Sequence, residues 1–185
     1  MKNATQNVAL SGYSYLADVG RINKISLGKP ITAPCLIPVL HAATPICINH
    51  PFMVGGEVYK VTALSFGTPH GVVFVDDVTA IDVMRVGWML GTHVLFPKGA
   101  SIVFAEMIDG ETIEALLWFN GKGEFMLTPE AAGAAAAASI MLQRATTRSV
   151  KVSGGENTFF VEWDRIGEVF LTASADLIPL YLPFT

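Results

Sequence analysis

The segment that most constrains this chain runs from Thr128 to about Ala145. Thr128-Pro129-Glu130 carries the residues of a helix start. The threonine hydroxyl can accept an N–H of the first turn, and proline gives up no bond at the first helical position. The glutamate faces the positive end of the helix dipole. Ala131 to Leu142 then contains no charged residue. A helix lying on solvent needs a polar face, so this one is expected in the core, apolar nearly all round and roughly 24 Å long. Its small side chains let strands approach the axis closely. The stretch is too short to cross a bilayer, which takes about 20 residues.

Strand patterns flank this helix on both sides. Arg21 to Leu27, Val58 to Leu64 and Gly71 to Val75 read as strands, the last with a near-continuous apolar run that predicts burial on both faces. Phe66-Gly67-Thr68-Pro69-His70 makes a tight corner between the second and third of these. Asp77 to Leu90 places Ile81, Met84 and Trp88 at helical spacing, hence a short amphipathic helix. Ser101 to Ile108 and Glu111 to Phe119 form a hairpin through Asp109-Gly110. Arg148 to Val152, Thr158 to Trp163 and Glu168 to Ala173 are further strands, and Leu177 to Phe184 is a last extended piece. Met1 to Gly20 is weakly patterned, a flexible arm or an edge strand. Prolines 30, 34, 38, 45 and 51 forbid a helix between residues 30 and 56 and favour short extended pieces. The expected class is α+β: an antiparallel sheet curled around a central apolar helix, with residues 1–56 as an arm and proline-rich lead and 57–185 as the lobe.

Charge narrows the function classes. The net charge is −4 with 15% charged residues, and no basic stripe occurs, so nucleic acid is not an expected partner. The 51% hydrophobic content points to surface hidden against a second subunit. Two cysteines, Cys35 and Cys47, make no disulfide framework. The first residues lack a signal-peptide pattern, and a cytoplasmic protein without a membrane segment is expected.

Candidate site residues each carry a bland reading beside the functional one. His70 is a general acid or base in a cleft, or a structural histidine near a helix start. Thr128 is first an N-cap, second a pocket hydroxyl. Glu130 is a base with a raised pKa or a dipole-complementing residue. Asp76 and Asp77 point to opposite strand faces and fit turn and cap roles better than a shared site. His41, Cys47 and His50 do not match a standard zinc spacing, so no metal and no cofactor is expected. Trp118, Phe119, Phe125, Met126 and Leu127 form an apolar cluster that either lines a ligand pocket or makes a filled site or a subunit interface.

Several of these motifs fall in one order. Gly67-Thr68-Pro69-His70-Gly71-Val72-Val73-Phe74-Val75-Asp76-Asp77, His93 to Phe104 with Phe96-Pro97, Trp118 to Ala138, Ser153-Gly154-Gly155, Val161-Glu162-Trp163 and Phe170 to Ala175 together resemble the diaminopimelate epimerase family. The order and spacing hold from about Glu57 to Phe184, and more weakly over Arg21 to Pro38. The resemblance implies one lobe of a two-lobed fold, each lobe a sheet curled round a helix, with the site in the cleft between lobes. In that family one cysteine from each lobe moves the α-proton of an amino acid. This chain resembles the second lobe.

Residue by residue, the resemblance puts Thr128 where the family has its catalytic cysteine and Pro129-Glu130 where it has Gly-Thr or Gly-Ser. Phe119-Asn120 stands at the substrate-gripping Glu-Arg pair. Thr68 stands at the asparagine before Pro-His, and Ser101 at the asparagine after Phe-Pro. A threonine hydroxyl is a poor base without an activating neighbour. The expected function is therefore a repurposed, cofactor-independent isomerase acting on a small, relatively apolar metabolite by proton transfer, double-bond shift or cyclisation. His70, Glu130 and Thr128 are its catalytic candidates; Thr68, Ser101, Phe119, Asn120 and Met126 are its substrate-binding candidates. The alternative is a non-catalytic ligand-binding or scaffold protein. In either case two copies are expected to pair as a homodimer, restoring the lobe-to-lobe contact in isologous form.

Overall fold

The computed structural model describes residues 6–10, 13–18, 21–40 and 46–173, the part before Lys24 by its backbone alone. Twelve strands alternate with two helices: β1 (Gln6–Leu10), β2 (Tyr13–Asp18), β3 (Arg21–Gly28), β4 (His50–Val54), β5 (Glu57–Ser65), β6 (Pro69–Phe74), α1 (Val83–Gly91), β7 (Ser101–Met107), β8 (Thr112–Phe119), β9 (Gly123–Phe125), α2 (Pro129–Met141), β10 (Ser149–Gly154), β11 (Asn157–Trp163) and β12 (Val169–Ala173). They form one sheet in the order β1-β2-β3-β12-β11-β10-β8-β7-β6-β5-β4, with β9 paired to β8.

The sheet is mixed, which corrects the antiparallel expectation. β6 runs parallel to β7, and β8 runs parallel to β10. Parallel neighbours need a crossover of about a dozen residues or more, usually through a helix. α1 lies in the first crossover and α2 in the second. Everywhere else the pairing is antiparallel, including the β7–β8 hairpin across Asp109-Gly110, where the Asp109 carboxylate accepts the Glu111 N–H at 2.7 Å. β4 and the short β9 are strands the sequence reading missed. Pro51 sits in β4 at the sheet edge, where its missing N–H costs no ladder bond.

Strand alternation sorts the apolar residues into two cores. Leu64, Val72, Val103 and Leu117 face α2, whereas Val61, Val73, Ile102, Phe104 and Trp118 belong to the core on the α1 side. β6, most of β7 and the second half of β5 are thus buried on both faces, as the run Gly71 to Val75 predicts. α2 contacts β5 to β8 and β10 to β12. Every residue from Ala131 to Ser139 is buried.

Two helix readings need correction. α2 stops at Met141 rather than Ala145. Gln143 takes φ +56°, its N–H reaching Ile140 O at 3.1 Å, and the Arg144 N–H reaches Ser139 O at 2.8 Å. That is a Schellman ending with glutamine where glycine is usual. The second correction concerns Asp77 to Leu90, which is a single 3-10 turn (Val78–Ala80) followed by α1, whose N-cap Asp82 accepts the Arg85 N–H. The buried face of α1 is Val83, Val86, Gly87 and Leu90, while Met84 and Trp88 are exposed. Glycine hid this face from a hydrophobic count. A Cβ on Gly87 or Gly91 would lie 2.4 or 2.2 Å from the Trp118 side chain, so the indole packs into a groove these two residues leave open.

Candidate active site

The site is built where four chain ends meet beside the start of α2. The C-terminal end of β5, the first residues of β6 and β7, and the last residues of β8 lie at one end of the sheet. His70 pairs in register with Ser101 on β7 and with Leu64 on β5. By the same alternation that sorts the cores, His70, Ser101 and Phe119 share the α2 face with Val72, Val103 and Leu117.

His70 is 1% exposed. Its Nδ1 lies 2.9 Å from the Thr68 carbonyl oxygen, which can only accept, so Nδ1 carries the proton and Nε2 is left as the basic nitrogen of the neutral ring. Burial lowers its pKa below the ordinary histidine value, opposed by the Thr68 bond and by the negative charge of Glu130. The charge on Glu130, in the first turn of α2, therefore reaches the imidazole. Thr128 is the N-cap of α2, its hydroxyl accepting the Ala131 N–H at 3.3 Å. The cap role expected for it is observed, and its side chain is buried. The chain entering α2 is tied down by the buried Asn157, whose amide donates to Leu127 O at 3.0 Å.

A cleft of about 380 Å³ opens at this end of the sheet, and Thr68, Ser101, Phe119 and Asn120 all line it. Four of the five expected substrate-binding residues, far apart in sequence, thus share one wall. The Ser101 hydroxyl accepts the Asn120 N–H at 3.1 Å, joining β7 to the end of β8. The Asn120 amide lies over Gly99, whose φ is +73°; a Cβ there would meet it at 2.5 Å. Thr68 couples this wall to His70, which stands behind it.

The remaining candidates separate. Met126 is exposed on a different cleft of about 530 Å³, with Glu124, Phe125, Glu156 and Asn157. Neither His70 nor Thr128 nor Glu130 lines the first cleft. The apolar cluster seen in the sequence also divides. Trp118 packs under α1, Leu127 is buried in the α2 core, and Phe119 meets Phe125 at 5.5 Å between ring centroids. Asp77 takes the turn role expected of it, accepting the Thr79 N–H and hydroxyl, which holds its carboxyl below the usual range. Cys47 is buried in the α1-side core and burial pushes its thiol up, while His50 lies on β4, edge-on to Phe52. His41 and Leu177 to Phe184 lie outside the described residues. Sequence reasoning missed Ser65 and Lys98, both on the cleft. Lys98 follows Phe96-Pro97 directly, and that motif could have drawn attention to it.

Comparison with known proteins bears on this arrangement. No family model matches the chain. Over 151 residues, 82% of its length, the chain is 32% identical to a diaminopimelate epimerase of Leptospira biflexa, covering 54% of that protein. It is 31% identical over 163 residues to the diaminopimelate epimerase of Pelotomaculum thermopropionicum, covering 58% of it. The chain spans somewhat more than half the length of these curated relatives. Among solved structures, a hydroxyproline epimerase of Agrobacterium vitis superimposes with a TM-score of 0.64 at 11% identity, over 94% of this chain and 58% of that one. A probable proline racemase of Agrobacterium radiobacter does so with a TM-score of 0.62 at 13% identity, over 94% and 59%. The likeness at low identity concerns the fold alone. Over most of its length the chain is thus similar in sequence to curated diaminopimelate epimerases, and its fold is that of the epimerase and racemase structures.

Proposed function

We propose that the protein is a cofactor-independent, isomerase-like enzyme whose substrate is a small, relatively apolar metabolite, and that it does not work as a two-cysteine amino-acid epimerase. One observation carries this reading. An open cleft walled by hydroxyl and amide groups adjoins a buried neutral histidine whose tautomer is fixed, with a carboxylate close enough to influence it. A fixed Nδ1–H leaves Nε2 as a proton acceptor. In this reading His70 takes a proton from an activated carbon and returns it to another position of the same molecule, so that a double bond shifts. Glu130 stabilises the transient imidazolium. Thr128 holds the start of α2 in place beside them. Thr68, Ser101, Phe119 and Asn120 orient the substrate, with Met126 at the neighbouring cleft. Thr128 at the helix start, with Cys47 buried in the opposite core, supports a chemistry that does not run through paired thiols.

We further assign residues 1–56 to a lead and 57–185 to the lobe, place the protein in the cytoplasm, and propose a homodimer. The exposed Leu36 and Leu40 near the cleft support a subunit contact there. Among the described residues, no helix is long and apolar enough to cross a membrane.

The burial of His70 and Thr128 favours a second reading, a non-catalytic ligand-binding or scaffold homodimer. One experiment separates the two. A metabolite library is incubated with the protein in D₂O and followed by NMR. The enzyme reading predicts deuterium entering one carbon-bound position of an apolar compound with wild type and not with His70→Gln. Binding without any exchange supports the scaffold reading.

A further inference from the structure

The lining of the cleft itself carries a positive charge and no negative one. Lys98 is the charged residue on its lining, beside the hydroxyl-bearing Ser65, Thr68 and Ser101. Among the described residues no carboxylate lies within 4 Å of its ammonium. Lys122 lines neither this cleft nor its neighbour, standing 5.2 Å over the ring of Phe119 on the one and 5.0 Å over that of Phe125 on the other. No aspartate or glutamate lines this cleft. The chain as a whole has 16 acidic against 12 basic residues, so the local excess of positive charge runs against the composition. The neighbouring cleft shows the opposite choice, with Glu124 and Glu156 and no cation on its lining.

Resting on the proposed function, we infer that the cleft selects an apolar acid without an amino group, its carboxylate held by Lys98 and its body against Phe119. An ammonium in the same place would face Lys98 and find no carboxylate partner on the lining. A carboxylate gains a charge-assisted bond from Lys98 and neutral bonds from the hydroxyls. Its apolar body gains the face of Phe119. Discrimination thus comes from an attractive cation and from the lack of a counter-charge for an amine.

Three matched probes test this by titration calorimetry: 3-phenylpropanoate, 3-phenyl-1-propanol and phenylalanine. Wild type is expected to bind the acid about tenfold more tightly than the alcohol or the amino acid, a difference of about 1.4 kcal/mol. Lys98→Gln should weaken the acid about five- to tenfold and leave the alcohol unchanged, while Lys98→Arg keeps the acid within about twofold. Lys98 is exposed, so these variants fold; coincident melting curves verify that. Equal affinity for acid and amino acid, an unweakened Lys98→Gln variant, or no binding of the acid at about 10 mM overturns the inference. The readout is binding without turnover. A failure of His70-dependent exchange therefore leaves it standing, and exchange on a compound lacking a carboxylate removes the charge selection while keeping the enzyme.

Discussion

His70 and Gln143 show how much a single position can carry. Burial holds His70 neutral, so its pKa lies below the ordinary 6.5 in the folded protein. Below about pH 6.5 the unfolded chain takes up a proton that the folded one refuses. Its contribution is therefore complete above that pH and is lost as pH falls through it. Urea unfolding at pH 7.5 and 5.5 should show a loss of stability in wild type that is smaller in His70→Gln. At Gln143 a side chain occupies the left-handed region at φ +56°. Gln143→Gly should stabilise by about 0.5–1 kcal/mol, the relieved backbone strain partly offset by a more flexible unfolded chain. At the other end of α2, Thr128→Ala should cost about 1 kcal/mol by leaving the Ala131 N–H without its cap, while Thr128→Ser stays near neutral. The Thr128 cap was legible because threonine, proline and glutamate stand in the order a helix start requires. The Gln143 ending was not, because any residue can be forced into that conformation once the chain must turn back toward β10.

Elements were read well where the period was unambiguous and poorly where glycine replaced a hydrophobe. The paired runs of β5 to β8 and of β10 to β12 are β-branched or aromatic, and each appears within a few residues of its expected place. The spacing predicts α1 but not the face it buries. Trp88 and Met84 face solvent although they are large and apolar, because the helix presents Val83, Val86 and Leu90 to the core and Gly87 and Gly91 to the Trp118 indole. Gly87→Ala should destabilise by about 1–3 kcal/mol through that overlap, and Trp118→Leu in the same chain should recover part of the loss. Chemical denaturation of the two single variants and the double variant checks this. Parallel pairing was likewise invisible from local patterns. The apolar run Gly71 to Val75 indicates burial on both faces but not strand direction, which is settled by the crossovers through α1 and α2.

At the level of the whole molecule, the mixed sheet brings Thr68, Ser101, Phe119 and Asn120 to one end of its central strands from three separate stretches of sequence. The resemblance named these residues in advance, since the order of motifs is carried by the chain itself. That His70 stands behind the wall and that Met126 opens onto another cleft depend on tertiary packing, and no local pattern encodes them. The proposed homodimer belongs to this scale as well. Light scattering after size exclusion should give twice the 19.8 kDa chain mass, and a clean monomer at micromolar concentration removes the dimer. The proposal at the centre is that the chain shares the fold of these epimerases while its cleft does not move the α-proton of a zwitterion. It is tested most directly by incubating the purified protein with LL-diaminopimelate in D₂O and following the α-proton signal by NMR. The account predicts that the signal persists undiminished, and its loss through enzyme-dependent deuterium uptake at the α-carbon would contradict it.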